Sequence, residues 1–222
     1  MAAVDAVVFD LDDTLVDWRT SVHRTAAEIA GEDLADRLLA WAEEHTWVRR
    51  DGIVVARNTW QMAEFAEQTW PAALPELDAD ELALVLKRFR AELWVSFFPE
   101  VVPTLDQLVD QHRLALLSNN PYLHAEVHRL RLLDWFEVAI DLPRDQTKPD
   151  PLAFARALDR LGTTAARTVY VGDSVLHDAE GAHGAGWITV WLDRHDDGWT
   201  TPDGVHRIAS LTELPDVLSA LT

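Results

Sequence analysis

Five short apolar runs restrict what this chain can fold into more than any other feature of its sequence. They cover residues 7–9, 113–117, 138–140, 168–171 and 188–192 and are rich in β-branched residues and Leu. Runs of this kind read as strands buried on both faces, as in a parallel sheet covered by helices. Helical patterns separate them at residues 101–111, 121–133, 151–161 and about 175–185. Asp150-Pro151 pairs an N-cap residue with a Pro at the first helical position. Ser210-Leu211-Thr212-Glu213 has capping-box spacing ahead of a last helix ending near Leu221. The alternation predicts an α/β fold, a doubly wound parallel sheet with helices on both faces.

Residues 17–98 interrupt that alternation. Apolar positions recur there at helical spacing, as in Leu34, Leu38 and Trp41, or Leu82, Leu86, Phe89 and Leu93. Six of the ten Trp residues fall between Trp18 and Trp94 and supply aromatic bulk for a core of the insert's own. The chain therefore divides into a core domain, residues 1–16 and 99–222, and an all-helical cap domain, residues 17–98. An insert placed directly after the first strand sits over the carboxyl ends of the sheet, where open α/β folds bind ligands, so a lid is its natural role.

The first strand carries the chemistry. Val7-Val8-Phe9-Asp10-Leu11-Asp12-Asp13-Thr14-Leu15 passes from a buried run straight into three carboxylates. Two unpaired charges ~4 Å apart repel by ~4 kcal/mol at an effective dielectric near 20, so something must offset them, and a divalent cation is the simplest candidate. Three more polar clusters fall at strand ends. Ser118-Asn119-Asn120 follows the second strand, Lys148 precedes a helix start, and Gly172-Asp173-Ser174 with Asp178 follows the fourth. Each alone could cap a helix or form a turn. Together they converge on one edge of one sheet and supply complementary parts.

Those parts fit phosphoryl transfer through a covalent aspartyl phosphate. Mg²⁺ prefers oxygen ligands, and Asp10 and Asp173 would bind it through their side chains. Asp12 would act as general acid to the leaving oxygen and then as base toward water. Lys148 and Ser118, with Asn119 beside it, form the substrate-binding group that holds phosphate oxygens. Thr14 would fix the loop that carries the two aspartates.

This constellation resembles the haloacid dehalogenase superfamily over the full length of the chain. Asp10-Leu11-Asp12-Asp13-Thr14 is similar to that family's first motif, Asp-x-Asp-x-Thr. Ser118 matches the second motif, Lys148 before Pro149 the third, and Gly172-Asp173-Ser174 through Asp178 the fourth. The resemblance implies a Rossmann-like core with a helical cap, Asp10 as nucleophile and Asp12 as general acid/base. It implies Mg²⁺ on the Asp10 carboxylate, the Asp12 main-chain carbonyl and Asp173, with Asp178 close by. Within the family, true 2-haloacid dehalogenases lack an acid at the Asp12 position and need no metal, which favours a phosphatase. Leu117-Ser118-Asn119-Asn120-Pro121 resembles a dehalogenase stretch instead, and a phosphomutase would share the same core motifs. A phosphoacceptor receiver domain is the alternative of another class. It leaves the insert and the Asp173 cluster unexplained.

The net charge of −19 argues against nucleic acid or an anionic membrane as partner, since either needs a basic face. No run approaches the length of a membrane span. The absence of Cys excludes disulfides and thiolate chemistry, and Met1-Ala2-Ala3-Val4-Asp5 carries no basic leader segment, so a cytoplasmic location is expected. The expected partner is a small phosphorylated metabolite; the oligomeric state is not legible. Asp17, Trp18 and Arg19 near the first hinge, and His45, Trp47, Arg49, Arg50 and Asn58 in the cap, are the candidate specificity residues. Arg49 and Arg50 could grip a second anionic group, and Trp47 or Trp18 could stack on a ring. His177 and His183, near the fourth motif, are expected to be structural or solvent-facing.

Overall fold

The computed structural model describes residues 4–50, 53–56, 70–71, 74–120, 123–196 and 198–221, with the side chains of residues 41–50, 53–56 and 90 left out. The chain forms two compact units, residues 1–15 with 97–222, and residues 16–96.

In the first unit a six-stranded sheet carries β1 (Ala6–Phe9), β4 (Arg113–Leu117), β5 (Val138–Ile140), β6 (Thr168–Gly172), β7 (Ile188–Leu192) and β8 (His206–Ile208), in the order β5-β4-β1-β6-β7-β8. Every pairing is parallel, and Phe9 stands opposite Leu116 on one side and Val171 on the other. The four residues of β1 are fully buried, as a central strand with helices on both faces requires. One face packs Val8, Leu117, Ile140 and Tyr170 against Phe154 and Trp187, with the Phe154 and Tyr170 rings edge-to-face at 5.4 Å. Phe154 lies on the helix Pro151–Leu161, which starts as its sequence dictates: the Asp150 side chain accepts a hydrogen bond from the Leu152 N–H, and Gly162 ends it in the left-handed region at φ 60°.

The second unit holds α1 (Trp18–Ala30), α2 (Glu32–Thr46) and α3 (Ala79–Glu92), the last opened by a full capping box between Asp78 and Glu81. Ala26, Leu34, Ala35, Leu38, Trp70 and Leu74 form its core, with Leu82, Leu86 and Phe89 packed against them. This unit is not all-helical. The strands β2 (Trp47–Arg50) and β3 (Ile53–Ala56) pair antiparallel, Arg50 opposite Ile53. Aromatic and β-branched residues on either side of Asp51-Gly52 carry a hairpin pattern that outweighs the helical spacing around it. Asp51, Gly52 and Asn58 lie outside the described residues, as do the side chains of Trp41, His45, Trp47, Arg49 and Arg50.

Other departures are local. The helix Val101–Leu108 stops three residues short of the expected end, and the helix after β4 covers Leu123–Arg129 before a 3₁₀ turn at Leu132–Asp134. The segment after β6 is a π-helical turn, Val175–Glu180, followed by one α-turn, Gly181–Gly184. Among the described residues no helix is long and apolar enough to cross a membrane.

Candidate active site

The parallel order β4-β1-β6 brings three chain segments to one sheet edge. β1 delivers Asp10 and Asp12, β4 delivers Ser118, Asn119 and Asn120, and β6 delivers Asp173. The turn before the helix at Pro151 adds Lys148, and the π-helical turn adds Asp178. One carboxylate oxygen from each of Asp10, Asp173 and Asp178 falls within 4.8 Å of the others, a grouping able to hold a cation.

Lys148 is 2% exposed, so its charge depends on its neighbours. Its ammonium donates to Asp10 Oδ1 at 2.8 Å, Asp178 Oδ1 at 2.6 Å and the Tyr170 hydroxyl at 2.7 Å. Burial opposes that charge, but the carboxylates of Asp10 and Asp178 more than offset it and hold Lys148 protonated beyond its ordinary range. The three ammonium hydrogens therefore already have three protein acceptors. A phosphate oxygen reaching Lys148 would have to displace one of them, and in this structure the lysine holds Asp10.

Burial raises Asp10 above the usual carboxylate range against the pull of Lys148. Asp173 is raised further, by burial and then by the charges of Asp178, Asp13 and Asp10. Burial is the larger cause in both, and neighbouring like charges add to it. Thr14, fully buried, donates its hydroxyl to Asp173 Oδ1 at 3.0 Å and so ties the β1 loop to the end of β6. Asp178 is fixed on both oxygens, since Oδ2 accepts from the Ser174 N–H at 3.0 Å. Gly172 is required beside it: a Cβ there would lie 2.3 Å from the Asp178 Cγ.

The residues of the second motif are held by main-chain contacts. Ser118 is buried, and its hydroxyl accepts from the Asn120 N–H at 3.2 Å. Asn119 donates to the Lys148 carbonyl at 2.9 Å and accepts from the Lys148 N–H at 2.8 Å. Both polar atoms of its side chain thus grip the main chain of Lys148. In this structure Asn119 supports the lysine.

Four participants were not assigned a role from sequence. Asn120 donates its amide to both oxygens of Asp12, at 3.1 and 2.9 Å. Tyr170, a core aromatic by its ring, brings its hydroxyl within 2.9 Å of Asp178 Oδ1 and 3.0 Å of the Leu117 carbonyl. Trp191 donates its indole N–H to the Asp173 carbonyl at 2.8 Å. Arg194 donates to the carbonyls of Asp13 and Thr14, at 3.3 and 2.8 Å, and stacks 3.8 Å over Phe98. Asp13 itself adopts the left-handed region at φ 57°, which Asp tolerates better than most residues. His177 is partly buried at the start of the π-helical turn, and burial pushes its imidazole down to about 4. His183 is exposed.

A family model described as haloacid dehalogenase-like hydrolase matches residues 4–186. The (S)-2-haloacid dehalogenase 1 of Pseudomonas sp. (strain CBS-3) is 28% identical over the whole of both chains. The phosphoglycolate phosphatase of Salmonella typhi is 30% identical over 85% of this chain and 81% of its own. Among solved structures, the HAD phosphatase from Thermococcus onnurineus superposes with a TM-score of 0.64 at 27% identity, over 97% of this chain and 98% of that one. With the family model spanning most of the sequence, the chain belongs to the haloacid dehalogenase-like hydrolases.

Proposed function

We propose that this chain is a Mg²⁺-dependent phosphatase that hydrolyses a small phosphorylated metabolite through an aspartyl phosphate on Asp10. The observation that carries the reading is the carboxylate group Asp10, Asp173 and Asp178 at the sheet edge, with Asp12 next to it. A dehalogenase acting without a metal has no use for the Asp173 carboxylate or for an acid at position 12. The donor set suits a hard cation: oxygen atoms alone, with Asp10 and Asp173 raised by burial and then by neighbouring carboxylates. Asp10, Asp173 and the Asp12 carbonyl would hold the ion, and Asp178, with both oxygens already engaged, would support it from behind. Bound there, Mg²⁺ would supply positive charge for the phosphate oxygens and keep Asp10 ionised.

The chain's own groups then divide the work. Lys148 orients the Asp10 carboxylate, whose oxygen attacks phosphorus as the bond to the leaving oxygen breaks. Asp12 gives its proton to that oxygen. Asp12, now ionised, takes a proton from water, whose oxygen attacks phosphorus and breaks the bond to Asp10. Phosphate leaves, and both aspartates return to their starting states. The Ser118 hydroxyl, just after β4, would steady a phosphate oxygen. The insert at residues 17–98 would read the rest of the substrate. Relatives named for phosphoglycolate support a small metabolite as substrate, and a chain of net charge −19 needs local positive charge to bind it.

Phosphate release from a panel of phosphorylated metabolites, with and without chelator, tests this reading. Release by the wild type, lost with chelator and in Asp10→Asn, is expected. Chloride release from 2-chloropropionate that survives chelation, with no phosphate release, would replace it with the dehalogenase reading that the Pseudomonas relative suggests.

A further inference from the structure

We infer that Asn120 is a positioning residue for the proton-transfer steps, holding the Asp12 carboxyl in line with the leaving oxygen through its side-chain amide. The inference deepens the phosphatase reading above and rests on it.

Asp12 and Asn120 sit at the ends of neighbouring strands, β1 and β4, which run parallel with Phe9 opposite Leu116. The amide nitrogen reaches both carboxylate oxygens, at 2.9 and 3.1 Å, across 108 residues of sequence. A two-oxygen grip fixes the plane of the carboxyl group as well as its position, because rotation about the Cβ–Cγ bond would lose one of the two contacts. Asp12 needs such a hold. It is half-buried among like charges, with Asp10 and Asp13 beside it, and left alone it would turn away from them. Asn120 also takes part in the local turn. Its main chain makes the turn, the N–H donating to the Ser118 hydroxyl and the carbonyl accepting from the Leu123 N–H. From that turn the side-chain amide nitrogen reaches Asp12.

A positioned acid matters most where the leaving group is a poor one. Breaking the bond to phosphorus leaves the electron pair on the leaving oxygen, and an alkoxide needs the Asp12 proton far more than a nitrophenolate does. The test is therefore kcat/KM across aryl and alkyl phosphates of graded leaving-group acidity, for wild type, Asp12→Asn, Asn120→Ala and the nearly isosteric Asn120→Asp. General acid catalysis is typically worth about 10²–10⁴-fold. Asn120→Ala is expected to lose about tenfold or more of that on alkyl phosphates and little on p-nitrophenyl phosphate. Asn120→Asp, which replaces the donor by a like charge, should lose more with the same slope. Equal losses across the series, or none, in a background where Asp12→Asn does steepen the dependence, would overturn the role of Asn120 alone. A wild type that releases no phosphate, or an Asp12→Asn variant with an unchanged slope, would overturn both this inference and the reading beneath it.

Discussion

Replacing Lys148 with Met removes the ammonium that Asp10, Asp178 and Tyr170 share while keeping most of the buried volume. The two carboxylates are 7% and 1% exposed, so water cannot take over the charge. Their oxygens lie no more than 4.8 Å apart, which at an effective dielectric near 20 is a repulsion of about 3.5 kcal/mol. Losing one partner of a buried ion pair costs about 3–5 kcal/mol by experience, in agreement. The variant has one escape, protonation of a carboxylate. From an ordinary value of 3.8, that costs about 4 kcal/mol at pH 7 and under about 2 kcal/mol at pH 5. The sign follows: a carboxyl raised in the folded state binds a proton that the unfolded chain releases, so the variant regains stability relative to wild type as pH falls. Urea unfolding in chelator, followed by Trp fluorescence, should show a loss of about 4 kcal/mol at pH 7 that shrinks to about 2 kcal/mol at pH 5. A loss below about 1 kcal/mol at pH 7, or one that does not change with pH, would refute the claim that this lysine neutralises the cluster.

Gly172→Ala drives a methyl group into the Asp178 carboxyl, 2.3 Å from its Cγ, and should cost about 1–3 kcal/mol of stability and weaken Mg²⁺ binding. Calorimetric titration with Mg²⁺ and a melting curve check both; wild-type values in either would contradict the packing argument. His177 should set an acid limb on stability. Burial pushes its imidazole to about 4 from 6.5, so the stability it allows is complete above pH 6.5 and is lost as pH falls toward 4, by up to about 3 kcal/mol. His177→Gln should flatten that limb in unfolding curves taken from pH 7 to pH 4. An unchanged limb would place the loss elsewhere.

The strands of the core were legible because a central parallel strand has no polar face: β1, β4, β5 and β7 are apolar runs bounded by turn residues. β8 was not, since His206 and Arg207 are exposed and Ile208 alone is buried, too little pattern to mark a strand. The hairpin in the insert was obscured for a different reason: helical spacing on either side of it invited one continuous reading. At the site, the carboxylates and Lys148 stood out because charge at the end of a buried strand is costly and therefore informative. Their supports did not. Tyr170 looks like core and is core, with Phe154 5.4 Å from its ring, and only its hydroxyl crosses to the site. Asn119 and Asn120 are neighbours of the same type with opposite duties, one turned to the Lys148 backbone and the other to Asp12. No local pattern distinguishes them, because the partner of each is brought in by the sheet.

Asp10 as the covalent nucleophile is tested most directly by acid-quenching the enzyme during turnover of a phosphate ester with Mg²⁺ and mapping phosphate on the protein. An acid-stable, hydroxylamine-sensitive phosphoryl group on the peptide containing Asp10, absent in Asp10→Asn, is the predicted result. Undiminished phosphate release by Asp10→Asn, with no phosphoryl group on that peptide in the wild type, would contradict it.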